Sequence, residues 1–347
     1  MFSFGLLAGC LAGCLTGCLT GCNDGGDEGD VGCDVPTSFK WQATRPLITP
    51  PEGSVSIKDP SVLFYNGKWH IYATHYAQNG GYSMVYLNFA DWAQADAAEK
   101  IPVSTNPNLK GYKCAPQLFY FSPQDLWYLV YQTQEPAYST TKDPTDVSSW
   151  SKATRFMPMP DIIENSEYGG IDYWIICDES YCYMFFSADN GVLYRARTPK
   201  SEFPNGFEGT TEIVMQQGQY ELYEACNVYK MAGTGKYLLT VEAIGLNGRF
   251  FRSWTADRLD GEWTPLQDTL SAPFASINNV TGAEWSNDGI SHGEMLRTNP
   301  DETMTINTCD MKFLFQGRTA AGKEYNLHEY SLGVLIDDRP RTEDAGQ

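Results

Sequence analysis

From residue 59 onward the chain alternates short apolar runs with turn residues, and the runs come in pairs. The segments are DPSVLFYNGKWHIYAT from Asp59, APQLFYFSPQDLWYLVYQ from Ala115, DYWIICDESYCYMFFS from Asp172, EACNVYKMAGTGKYLLTVEA from Glu224 and HGEMLRTNPDETMTINTC from His292. Each joins an apolar strand to a second strand through a turn of Gly, Asn, Asp or Pro type, which predicts a β-hairpin. Further strands follow most of them, such as SMVYLNF, VLYRART and RFFRSWT. Helical periodicity is nearly absent. One short stretch, DWAQADAAEK at 91–100, predicts a helix with Asp91 capping its start. The five starts are 56, 57, 52 and 68 residues apart. Units of that size, each built from several short strands, predict an all-β fold: a five-bladed β-propeller forming one domain.

In a propeller the first strand of each blade lines the central channel. The register therefore places Asp59, Ala115, Asp172, Glu224 and His292 together at its mouth. A charged residue at the head of a buried apolar strand is costly unless it is paired or functional. Taken singly, each reads as a cap or a salt-bridge partner. Three carboxylates and a histidine converging on one mouth read as chemistry. Acidic triads suit glycoside hydrolysis, in which one carboxylic acid protonates the leaving oxygen and one carboxylate activates water or attacks. A third carboxylate raises its neighbour's pKa by like-charge repulsion and orients it.

Composition narrows the partners. The 347 residues carry 24 Lys+Arg against 43 Asp+Glu, a formal charge of −19. That balance opposes binding to nucleic acid, which needs a basic face, and to anionic lipid headgroups. Aromatic residues make up 14%, with 21 Tyr and 9 Trp, a surplus that suits stacking on sugar rings.

Residues 1–22, MFSFGLLAGCLAGCLTGCLTGC, are apolar and uncharged, like the apolar region of a secretory signal but without its basic start. The tetrapeptides ending at Cys10, Cys14, Cys18 and Cys22 each resemble a bacterial lipobox. Cys22 is the best candidate, because an acidic, Gly-rich tether follows it directly. The expected organisation is a leader at 1–22, a tether at 23–36, a propeller at 37–338 and a polar tail at 339–347. The protein is expected outside the cell, with a lipid anchor at Cys22 as its one membrane contact. A plain signal peptide with a Gly-Cys repeat is the alternative.

Export makes disulfides available to the six remaining cysteines. Cys177 and Cys182 flank the turn in CDESYC and form the safest local pair. Cys33 and Cys309 lie near opposite ends of the domain and could tie its termini together. Cys114 and Cys226 are left, as a third bridge, Cys114–Cys226, or as buried thiols. No spacing resembles a zinc site.

The segments SIKDPSV, GKWHIYAT, SMVYLNF, APQLFYF, YSTTKDP, FPNGF, YELYEA, VEAIG, FRSWTA, NNVTG and SHGEMLRTN resemble, in order and spacing, glycoside hydrolase family 62 over roughly residues 37–336. That family comprises α-L-arabinofuranosidases with a five-bladed propeller fold. The resemblance implies Asp59, in IKDP, as the general base that activates water and Glu224, in LYEA, as the general acid. It implies Asp172, in GGIDYW, as the carboxylate that tunes the acid and helps hold the arabinose. An inverting reaction would set base and acid roughly 6.5–9.5 Å apart to admit the water. Lys58, Tyr325 and Asn326 match residues that contact or close over the sugar. Gln117 would face the sugar or an ion. His292, in SHGE, matches a histidine associated with a structural calcium ion on the axis, water completing its shell, with Glu294 behind it.

The chain departs from the family at Cys114 and Cys226, and YQTQEPAY carries no tryptophan where some members have one at the pocket edge. A bridge between those cysteines would stiffen the site. Asn279-Val280-Thr281 forms a glycosylation sequon, meaningful in a eukaryotic secretory host. The function implied is a monomeric, inverting enzyme removing single α-1,2- or α-1,3-linked arabinofuranosyl branches from arabinoxylan and arabinoxylo-oligosaccharides, with no organic cofactor. The alternatives are a family 43-like arabinanase or xylosidase and a non-catalytic surface glycan-binding lipoprotein.

Overall fold

Turn chemistry sets the register of the first hairpin. Asn66 and Gly67, at φ 50° and 75°, join Ser54–Tyr65 to Lys68–Ala77. Two positive φ values in a two-residue turn match the twist of the strands on either side. Tyr65 then faces Lys68, and Phe64 faces Trp69. Tyr82–Phe89 and Ile101–Pro102 complete a four-stranded sheet, blade I, in the computed structural model, which describes residues 33–319 and 324–339. The expected leader, most of the tether and the tail beyond Arg339 lie outside the described residues.

The motif repeats around the axis. Blade II runs Cys114–Phe121, Leu126–Gln132, Pro136–Thr141 and Thr154–Arg155. Blade III runs Ile171–Cys177, Tyr181–Ser187, Val192–Pro199 and Glu212–Gln216. Blade IV runs Glu224–Met231, Lys236–Gly245, Gly248–Ala256 and Thr264–Thr269, with Ala272–Pro273 and Thr305–Ile306 at its edges. Blade V takes strands from both ends of the chain. Ser291–Met295, Lys312–Gly317 and Ser331–Asp337 pair in turn, and Trp41–Ala43 adds antiparallel to the last. That strand from the N-terminal side closes the ring, and Cys33–Cys309 locks it covalently.

Apolar side chains fill the spaces between sheets. Trp41, Phe274 and Phe313 pack edge to face where the closing strand meets blades IV and V. Between blades I and II, Tyr72 meets Trp150 edge to face and Tyr86 at a tilt, the Trp150 indole donating to the Tyr72 hydroxyl at 2.8 Å. Rings like these bury large area while their polar tips still find partners.

Several expectations are corrected. The 91–100 segment is one 3₁₀ turn, Trp92–Gln94, although Asp91 does cap it by accepting from the Ala93 amide at 2.9 Å. A short helix needs a buried face to persist, and here Asp96 instead accepts from the amide and hydroxyl of Thr49. In the fifth unit the second half of the expected hairpin leaves the blade. Thr305–Ile306 pairs in parallel with Lys230–Met231 of blade IV, and Lys312–Gly317 becomes the partner strand. The bridge Cys177–Cys182 forms as expected, but Cys114 and Cys226 remain buried thiols. They lie at the mouth end of the first strands of blades II and IV, and blade III stands between them. The Asn279 amide donates to three carbonyls, those of Phe39, Pro273 and Phe274. The sequon's acceptor nitrogen is therefore built into the fold.

Candidate active site

The first strands are bulged where they reach the channel mouth. In blade I, Lys58 faces Thr74 and Ser61 faces Tyr72, so that Asp59 and Pro60 together oppose one residue. The same count holds at Ala115–Pro116, Asp172–Tyr173 and Ala225–Cys226. The leading bulge residue is left-handed in all four blades, with φ 47° at Asp59, 48° at Ala115, 55° at Asp172 and 53° at Ala225. Such backbone costs about 1–3 kcal/mol outside glycine and persists where the surroundings over-determine it. Bulges re-aim side chains next to active sites. Blade V has one extra residue at the same level, His292. The expected register is thus right for Asp59, Ala115, Asp172 and His292 and off by one in blade IV. There Ala225 occupies the equivalent position, and Glu224 precedes it as Lys58 precedes Asp59.

The carboxylates meet around His292. Its Nδ1 lies 3.5 Å from Asp59 Oδ1 and 3.7 Å from Asp172 Oδ2. All three residues are buried. Burial alone would keep the imidazole neutral, but Asp172, Asp59, Glu242 and Glu224 around it outweigh that and raise its pKa. The imidazolium neutralises part of a crowded negative site. The Asp172 carboxyl is pushed up to about 6, first by burial and then by Glu224 and Asp59, with His292 opposing. Asp172 Oδ2 also accepts from the Ala225 amide at 2.9 Å, tying the third carboxylate to the strand that carries Glu224.

Two residues that the sequence did not flag complete this cluster. Arg249 Nη1 donates to Glu224 Oε1 and to Glu242 Oε1. Glu242 is fully buried, accepts from the His292 amide at 2.6 Å and takes the Ser291 hydroxyl at 3.2 Å. Arg249 is held in place by its backbone. A Cβ on Gly248 would collide with the Asp288 carbonyl, and one on Gly289 with the Arg249 carbonyl. Two glycines thus let the chains close around it. The signal that could have found the pair is a carboxylate inside the apolar run KYLLTVEAIG, with an arginine one hairpin turn later.

Lys58 bridges to the last blade. Its ammonium donates to the Tyr325 hydroxyl at 2.9 Å and lies 4.7 Å from the Tyr325 ring centre and 4.9 Å from that of Tyr82. Burial works against this charge, but Asp59, Tyr325 and Tyr82 hold its pKa well above the usual value. Tyr82 in turn donates to Asn326 Oδ1 at 2.6 Å. Lys58, Tyr325 and Asn326 therefore stand together at the mouth, joined through a tyrosine the sequence did not single out. Gln117 does not project there. Its amide clamps blade III, with Nε2 donating to the Ile175 carbonyl and Oε1 accepting from the Ile175 amide, both at 2.7 Å. It lines a small axial cavity of about 10 Å³ with Asp172, Trp174, Asn227 and His292, room for about one water. Glu294 lies fully buried, its Oε1 accepting from Arg297 Nε at 2.7 Å.

Asp189 is a further, half-buried acid beside this cluster. Its Oδ1 has no hydrogen-bond partner, and its backbone is left-handed at φ 52°. Burial, with Glu224 and Asp172 adding, pushes its pKa up to about 8.

The model of glycosyl hydrolase family 62 matches residues 40–336. A curated relative, α-L-arabinofuranosidase C of Cellvibrio japonicus (strain Ueda107), is 44% identical over 312 residues, covering 87% of this chain and 48% of the relative. The chain thus spans about half the length of that relative. Among solved structures, the catalytic domain of a Coprinopsis cinerea family 62 α-L-arabinofuranosidase superposes with a TM-score of 0.84. It is 44% identical, covering 88% of this chain and 98% of that one. A family 62 hydrolase in complex with xylotriose superposes with a TM-score of 0.82 at 41% identity, covering 86% of this chain and 98% of that one.

Proposed function

Because this chain belongs to glycosyl hydrolase family 62, we propose that it is an inverting α-L-arabinofuranosidase acting on single arabinofuranosyl branches, α-1,2- or α-1,3-linked, of arabinoxylan and its oligosaccharides. The observation that carries this reading is the meeting of Asp59, Asp172 and Glu224, from three blades, around His292 and Arg249. Glu224 gives its proton to the leaving glycosidic oxygen as the C1–O bond breaks. Asp59 takes a proton from the water whose oxygen bonds to C1 from the opposite face. To donate, Glu224 must first carry a proton, and Arg249 then keeps Glu242 as its counter-ion. Asp172 and His292 hold the charge balance between them. The bound xylotriose of the family relative supports a xylan backbone lying across the mouth, where Tyr112 and Tyr325 are exposed.

A calcium ion at His292 would find few protein ligands. Gln117 Oε1 and Asp172 Oδ2 already accept from backbone amides. Among the described residues no three His, Cys, Asp or Glu side chains are set to hold a metal. Water would have to supply most of such a shell, and no chemical step is assigned to the ion. We place the enzyme outside the cell as a monomer, consistent with the two disulfides among the described residues, with Cys22 as its lipid anchor.

Glu224→Gln tests the assignment, because it keeps shape and removes the transferable proton. Arabinose release should fall by about 10²–10⁴-fold while binding to arabinoxylan persists. A wild-type protein that binds arabinoxylan and releases no arabinose would instead be a glycan-binding protein.

A further inference from the structure

The acid marks the side on which the polymer leaves the site. Glu224 touches the glycosidic oxygen, and that oxygen joins the arabinose to the xylose that carries it. The substrate's backbone therefore runs past Glu224, over the rim where blades III and IV meet.

Three segments come together on that rim. They are the loop entering blade III at 156–170, the turn between its second and third strands at 188–191, and the loop entering blade IV at 217–223. The turn is tied to both loops. Asn190 Nδ2 donates to the Glu164 carbonyl at 2.8 Å, Gln219 Nε2 to the Asp189 carbonyl at 2.9 Å, and the Gln217 amide to the Gly191 carbonyl at 2.9 Å. Gly191 permits the close approach, because a Cβ there would collide with the Gln217 carbonyl. The ridge so formed carries a tyrosine on each flank. Tyr168, on the loop entering blade III, is 65% exposed, and Tyr220, on the loop entering blade IV, is 56% exposed. Asp189, on the turn, stands between the two loops. After Glu167 and burial it raises the pKa of Tyr168, and after burial and Glu224 that of Tyr223.

The ridge is continuous with the acid. The Tyr220 ring centre lies 6.0 Å from that of Tyr223, the Arg249 guanidinium lies 5.3 Å from the centre of the Tyr223 ring, and Arg249 holds Glu224. Exposed rings on a backbone this firmly tied are organised before any ligand arrives, which lowers the cost of binding.

We propose that this ridge is a saccharide subsite, in which the xylan backbone leaving the mouth beside Glu224 stacks its pyranose rings on Tyr220 and Tyr168, with Asp189 between them meeting the ring hydroxyls. It rests on Glu224 being the acid and arabinoxylan the substrate. The chemistry suits a neutral polyol. A tyrosine ring offers a sugar its flat face and a polar edge. Asp189 keeps its proton near neutral pH, burial and then Glu224 and Asp172 having pushed its pKa up to about 8. A sugar that covers it strips no charge of water.

The test uses the full chain as Glu224→Gln, which binds without cleaving, and unbranched xylohexaose as the probe, titrated by calorimetry. Tyr168→Ala and Tyr220→Ala, added together to that chain, should raise the Kd about tenfold, and either alone by less. Tyr181→Ala, at the floor end of blade III, is the control and should leave the Kd unchanged. Hydrogen exchange gives a reading without any change at the ridge. Saturating xylohexaose should slow exchange in the peptides covering 164–169 and 217–223. An unchanged Kd in the double variant overturns the subsite, as does protection that spares both peptides, while either result leaves the arabinoxylan reading in place. A Glu224→Gln chain that binds no xylohexaose and no arabinoxylan overturns that reading and the subsite with it.

Discussion

Arg249 stands between two carboxylates with different tasks. Glu224 faces the mouth and, as the proposed general acid, would change protonation in each turnover, whereas Glu242 is fully buried. Its register equivalents, Thr74, Gln132 and Gln316, are neutral, and each accepts from a backbone amide at the mouth of the next blade. A carboxylate at this one position is explained by the arginine it serves. Glu242→Gln should therefore fold, because Gln still accepts from the His292 amide. It should lose about 10²-fold in kcat, since Arg249 then holds Glu224 alone. Urea denaturation and steady-state kinetics check both halves, and wild-type kcat would refute it. Asp189 makes a prediction about pH. Its pKa is raised to about 8 by burial and neighbouring acids, so between about pH 4 and 8 the folded chain holds a proton that the unfolded chain has released. Stability falls as pH rises through that window. Asp189→Asn tolerates the left-handed backbone and removes the penalty. Its melting temperature should match wild type near pH 4 and exceed it at pH 8, and parallel curves would contradict this. Asp59 and Asp172 were legible in the sequence because a charge at the head of an apolar strand is conspicuous. Glu242 was not, because it sits mid-strand and its partner arrives from across a turn.

At the scale of the element, hairpins follow from turn residues and apolar runs, and four of the five predicted pairs form. The fifth fails because pattern alone cannot tell which later strand returns to the blade. TMTINTC has strand character, but two of its residues serve blade IV. The one-residue shift at Glu224 has another origin. The bulge is the same in blades I to IV, but in blade IV its leading position is the uncharged Ala225, and the conspicuous charge stands one residue before it. The close approach of Gly248 to Asp288 belongs here too, because it seats the strand that begins with Arg249. Gly248→Ala puts a Cβ against a carbonyl at φ +89°. It should destabilise the fold by more than ~1 kcal/mol and reduce kcat as Arg249 shifts. A urea melt unchanged from wild type would show that the backbone gives way freely.

For the whole molecule, a repeat of about 56 residues sufficed to predict five blades, but not how the ring closes. Closure depends on Trp41–Ala43 reaching Ser331–Asp337 and on Cys33 reaching Cys309, contacts across nearly the entire chain. Once closed, the ring brings three acids from separate blades to one mouth, and most of the remaining acidity is exposed surface. The central claim is that these acids work by inversion, with Glu224 and Asp59 on opposite faces of the sugar. Proton NMR of the anomeric region during the first turnovers on arabinoxylan tests it most directly. The arabinofuranose released first should be the β-anomer, with the α-anomer growing in only by mutarotation. Initial release of the α-anomer would contradict the account.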